Sequence, residues 1–128
     1  MGRCSLAQRV IHLVLIVSAD AERLRRRHRL VREAGYHALP ALAVGHALAL
    51  ARKARPSVVL ADADLRDERA LALLLALREL EELRQVHVVL VGVLTPEEHA
   101  HLARDPHARA HDDDEDRLIA LLREVLVA

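Results

Sequence analysis

A chain of 128 residues has room for one domain with a hydrophobic core and is too short for two ordinary ones. Its 52% hydrophobic and 30% charged residues exclude a disordered or collagen-like chain, and the balance of 19 basic against 19 acidic residues leaves no global field to attract nucleic acid or a membrane surface. The apolar fraction rests on 25 Leu, 22 Ala and 14 Val. Phe and Trp are absent and Tyr36 is the one aromatic, so a binder of single-stranded nucleic acid would lack the rings on which bases stack.

Residues 1–10 read as an N-terminal extension and 11–128 as a single domain. The one cysteine, Cys4, has no partner for an intramolecular disulfide and no paired spacing for structural zinc, which points to a cytoplasmic protein. Arg3 and Arg9 ahead of the apolar run Val10 to Val17, followed by small residues, carry a trace of a secretion signal. The run is short and includes His12, so it is read instead as a buried strand. No stretch reaches the roughly 20 apolar residues needed to span a bilayer.

Strand-length apolar runs then alternate with helix-period segments. His12 to Val17 predicts a strand buried on both faces. Asp20 caps a helix running to about Ala34, with Leu24, His28, Leu30, Val31 and Ala34 on its inner side, and Gly35 closes it. Tyr36 to Pro40 reads as an edge strand, and Val44 to Ala54 as an alanine-rich helix ended by Pro56. Ser57 to Asp62 is a second buried strand, Arg66 to Leu83 a leucine-rich helix, and Val86 to Val91 a third buried strand. Thr95-Pro96-Glu97-Glu98 is a capping box with proline at the first helical position, which predicts a helix to about Arg104. His107 to His111 stands where a fifth strand is due, although its apolar content is poor. Asp116 to Val127 makes the closing helix. Strict alternation of five strands and five helices implies right-handed crossovers in a parallel sheet, an α/β fold of the flavodoxin-like, doubly wound kind with strand order 2-1-3-4-5. In such a sheet the ligand site lies at the carboxyl ends of the first and third strands.

Leu13 to Val17, Glu33-Ala34-Gly35-Tyr36, Ala47 to Leu50 and Arg55 to Asp62 stand in the order and spacing of the CheY-like receiver domain of response regulators. The chain resembles that family over roughly residues 11–126. The resemblance implies that Asp62 holds the place of the aspartate that accepts a phosphoryl group from a histidine kinase, a step that needs magnesium held by neighbouring carboxylates. The family's other functional positions have changed. Its paired acids fall on Ser18 and Ala19, its switch hydroxyl on Gly92, its lysine on His111 and its aromatic switch near Ala108. The resemblance is therefore to an atypical receiver, a pseudo-receiver, that is not an enzyme. Such a protein acts in two-component or phosphorelay signalling by binding a protein partner, a histidine kinase or a downstream regulator, with a homodimer as a further option.

Other readings stand beside this one. Asp20, Asp62 and Asp64 would form a rearranged carboxylate cluster binding magnesium weakly, which would make Asp62 the acceptor of an active receiver; no other cofactor is expected. Val58 to Asp64 is also similar to the first motif of haloacid-dehalogenase-type phosphatases, so a small phosphatase or a ligand-binding flavodoxin-like protein is the enzyme alternative. His99, His101, His107 and His111, beside Asp112, Asp113 and Asp114, match no metal-ligand spacing and read as surface histidines, while His28 reads as a structural imidazole. The arginines at 23, 25, 26, 27, 29 and 32 and the acids at 112–116 read first as a solvated helix face and a dipole-favoured helix start. Pairing within or between molecules is the alternative. Leucines at 71, 73, 74, 75, 77, 80 and 83 cover more than one helix face, as core packing with an option for a partner surface.

Overall fold

The computed structural model describes residues 12–66 and 68–126. The proposed extension over residues 1–10 lies outside them. Five strands alternate with five α-helices: β1 (Leu13–Val17), α1 (Ala21–Glu33), β2 (His37–Ala41), α2 (Val44–Ala54), β3 (Val58–Asp62), α3 (Ala70–Glu79), β4 (His87–Val91), α4 (Pro96–Ala103), β5 (Ala108–His111) and α5 (Glu115–Leu126). The strands form one parallel sheet in the order β2-β1-β3-β4-β5, the doubly wound order expected from the alternation.

Side chains alternate across each strand and divide the core into two layers. Val14, Ile16, Val58, Leu60, Val89 and Val91 face α1 and α5, where they meet Leu24, Val31, Leu118 and Leu122. Leu15, Val17, Val59, Ala61, Val88 and Leu90 face the opposite layer with Ala47, Ala51, Leu73, Leu74 and Leu102. Every residue of β3 is buried, which is why its sequence shows an unbroken apolar run and no alternation. Each fully buried leucine or isoleucine contributes roughly 1.5–3 kcal/mol, so branched aliphatics supply a core without large aromatics.

The leucine-rich helix is shorter than its periodicity predicts. Asp64 and Arg69 form an isolated antiparallel bridge, the Asp64 carboxylate accepts the Arg66 N–H at 2.9 Å, and Arg66 takes a left-handed φ of 69°. These contacts hold Asp64, Arg66 and Arg69 outside the helix, so α3 starts at Ala70. At its other end Leu80 is extended and Glu81–Leu83 is a 3-10 turn that brings Leu83 into the core. Leu73, Leu74 and Leu77 are buried and Leu71 and Leu80 pack against the core, which leaves Leu75 as the exposed member of the set. Core packing therefore accounts for the leucines. The weak fifth strand is real: β5 pairs with β4 from Val88↔Ala108 to Val91↔His111, and its exposed Arg109 and Ala110 reflect its place at the sheet edge.

Candidate functional site

The carboxyl ends of β1 and β3 bring Ser18 and Asp62 together, the position at which a doubly wound sheet places its ligand site. Ser18 is fully buried and Asp62 nearly so. The Ser18 hydroxyl donates to Asp62 Oδ2 at 2.6 Å, and Arg23 Nη1 donates to the same oxygen at 3.1 Å. Arg27 Nη1 donates to the other oxygen, Oδ1. Its Nη2 reaches across to the carboxylate of Asp113, in the loop between β5 and α5. The Arg27 side chain is 1% exposed and its Nε has no partner among the described residues, so the two Nη groups carry the hold. Asp62 and Asp113 face Arg23 and Arg27, two negative charges against two positive. The bond to Asp62 raises the Arg23 pKa above its ordinary value, with burial opposing it.

Helix α1 supplies this arrangement through its register. Asp20 caps it, its Oδ1 accepting the N–H groups of Glu22 and Arg23 at 3.0 Å each. The cap fixes where the helix begins, and from there Leu24, Arg27 and Val31 fall on the buried stripe. An arginine on an inward stripe can remain charged only against carboxylates, and Asp62 and Asp113 provide them. On the flank, the Arg26 Nε–H is shared between the two carboxylate oxygens of Glu115 at the start of α5 (2.8 and 3.0 Å). The arginine run and the acidic run thus pair within one molecule through residues 26, 27, 113 and 115. Pairing within the molecule, the alternative to a solvated helix face and a dipole-favoured helix start, is thus formed at these residues, although Arg26 and Asp113 stay exposed.

The other predicted residues are placed as follows. Asp20 is a helix cap whose pKa is lowered chiefly by the Arg23 N–H, and Asp64 is exposed in its own loop. These two and Asp62 are not gathered into one site; among the described residues no group of three or more His, Cys, Asp or Glu side chains could hold a metal ion. The proposed Asp20, Asp62 and Asp64 magnesium cluster is therefore not formed, because two of its members are committed to backbone N–H groups and the third to arginines. Ala19 is half-buried and adds no ligand. Gly92 has φ 116° and donates its N–H to His111 O at 3.0 Å, a backbone that disfavours a side-chain-bearing residue there. His111 ends β5 and its Nδ1 lies 2.7 Å from Asp112 O, directed to its own loop; Ala108 begins the same strand. His28 Nε2 meets Ala38 O at 3.1 Å, a structural imidazole. Hollows of about 480 and 430 Å³ open at the opposite, amino edge of the sheet, beside Ser57 and Gln85 in one and Asp105 and His107 in the other.

Magnesium, which the resemblance implies, does not fit the residues present. It prefers a near-octahedral shell of oxygens, whereas both oxygens of Asp62 are taken by N–H and O–H donors, and Arg23 and Arg27 already balance the charges of Asp62 and Asp113. Sequence reasoning offered pairing of the arginine and acidic runs only as an alternative and did not place Arg23, Arg27 and Asp113 at Asp62. The usable signal was Arg27 itself, three residues after Leu24 and four before Val31, on the apolar side of an amphipathic helix.

No protein-family model and no curated protein matches the sequence. Solved structures do. The chemotaxis protein CheY4 of Vibrio cholerae superimposes with a TM-score of 0.83 at 20% identity, over 91% of this chain and 100% of that one. A receiver domain of a signal transduction histidine kinase from Syntrophus aciditrophicus gives 0.78 at 18%, over 90% and 89%. The receiver domain of a sensor histidine kinase from Pseudomonas aeruginosa, solved with magnesium in its active-site cleft, gives 0.76 at 14%, over 90% and 97%. The fold is that of CheY-like receiver domains.

Proposed function

We propose that this chain is a receiver-like signalling module of two-component type that works by binding a protein partner, without phosphoryl transfer to Asp62. The observation that carries the reading is the state of the Asp62 carboxylate inside a receiver fold. A nucleophilic carboxylate needs a free lone pair directed at the incoming phosphorus and a cation placed to neutralise both reactants. Here Ser18, Arg23 and Arg27 occupy its oxygens, and the cationic groups are spent on holding it. Gly92 and His111 supply neither a hydroxyl nor an ammonium group to grip a transferred phosphoryl; the chain's one lysine, Lys53, lies in α2. Each missing stabiliser of this kind costs about a hundredfold or more in rate.

In this reading the scaffold is retained for its surfaces. A histidine kinase or downstream regulator is the class of partner that fits, the setting is the cytoplasm, and the chain is not an enzyme. Among the described residues no helix is long and apolar enough to cross a membrane. Incubation with acetyl phosphate and magnesium followed by intact-mass measurement tests the reading. The protein should stay unmodified; a stoichiometric single-phosphoryl adduct that disappears in Asp62→Ala would overturn it.

A further inference from the structure

We infer that the Arg27 guanidinium is the resident cation of this sheet edge. It bridges Asp62 and Asp113, keeps magnesium out of the folded protein, and leaves a magnesium site behind when the cations are removed. The inference deepens the preceding reading at the same site.

Arg27 is anchored on α1, yet its two Nη groups bond carboxylates from two other parts of the fold, the end of β3 and the loop before α5. A planar fork fixes the spacing of the two acids it bridges, as a metal ion bridging them would; a single ammonium point charge would impose no such spacing. At 1% exposure the guanidinium cannot be served by water, so its charge is balanced by these carboxylates or by nothing. The orphaned Nε points the same way: no backbone carbonyl helps to hold the group among the described residues. Arg23, 37% exposed, covers Asp62 from the solvent side.

Removing the two cations changes the balance. Asp62 would then carry an uncompensated buried charge beside the Ser18 hydroxyl, across a gap of guanidinium size from the half-exposed Asp113. Magnesium is commonly bound by one or two carboxylates with water completing its shell, which is the donor set that would remain.

The test is thermal unfolding in 10 mM magnesium chloride against sodium chloride of matched ionic strength. For the wild-type protein the two melting temperatures should agree to about 1 °C. Arg23→Gln/Arg27→Met should melt about 10 °C lower in sodium chloride, since a buried pair has lost its cation. Magnesium should then raise it by about 5 °C, the shift for a dissociation constant of about 1 mM, and adding Asp62→Asn should abolish that gain. If the double variant does not fold, Arg27→Met alone, which retains Arg23 on Asp62, carries the same test with a smaller gain. A saturable rise in the wild type, or a folded variant indifferent to magnesium, overturns the inference. A magnesium response in the wild type without a phosphoryl adduct leaves the proposed function standing; an adduct removes that function whatever magnesium does.

Discussion

Two buried carboxylates sit on the carboxyl side of the sheet, each held by arginine, and they differ in how they are held. Glu98, near the start of α4, takes a two-pronged bond from Arg69 (2.7 and 2.9 Å) and closes the capping box on the Thr95 N–H at 2.8 Å. Its main partner is 39% exposed, so water supports that charge even when the bond opens. Asp62 has Arg27 as its counterpart, and Arg27 has no such support. The same pair of functional groups is therefore a modest brace in one place and an obligatory charge balance in the other. What separates them is the burial of the cation.

Neutralising each acid in turn separates the two sites. Asp62→Asn should destabilise the protein by about 2–3 kcal/mol in urea unfolding, because Arg27 and Arg23 then share Asp113 alone. Were the site a set of mutually repelling carboxylates, the same substitution would stabilise the fold, so the sign of the change decides. Glu98→Gln should cost less, about 1 kcal/mol at neutral pH.

That smaller effect should also depend on pH. The Arg69 bond, opposed by burial, holds the Glu98 carboxyl below its ordinary value of 4.5. A depressed folded-state value means that the stabilisation is complete above the ordinary carboxylate range and is lost as pH falls through the folded-state value. The stability difference between wild type and Glu98→Gln should therefore be constant near neutrality and shrink in acid. A difference that grows with acidification would contradict the assignment.

The two sites also differ in how much of them could be read from the sequence. Thr95, Pro96 and Glu98 lie within one helical turn, so the capping box follows from local spacing and appears as expected. The Asp62 site joins residues 18, 23, 27, 62 and 113, brought together by strand order and by the register of α1. The fold itself was legible because β1, β3 and β4 are continuous buried runs and the order of elements is strict. The resemblance pointed to Ser18 and Asp62, which lie 2.6 Å apart at the sheet edge, and to acids that this chain does not carry. It could not say what holds Asp62 here, because Arg23 and Arg27 come from within α1 and not from the loop after β1. Asp20 looked like a remaining ligand for the same reason: an acid one position beyond the lost pair is equally good as a helix cap, and the backbone N–H groups of α1 claim it.

Arginine, and neither magnesium nor a phosphoryl group, should occupy the Asp62 carboxylate of the wild-type protein. A crystal structure of the wild-type protein grown in magnesium chloride tests it most directly. The account predicts Arg27 between Asp62 and Asp113, with Ser18 and Arg23 on the other carboxylate oxygen. A magnesium ion coordinated by Asp62, with Arg27 displaced towards solvent, would contradict it.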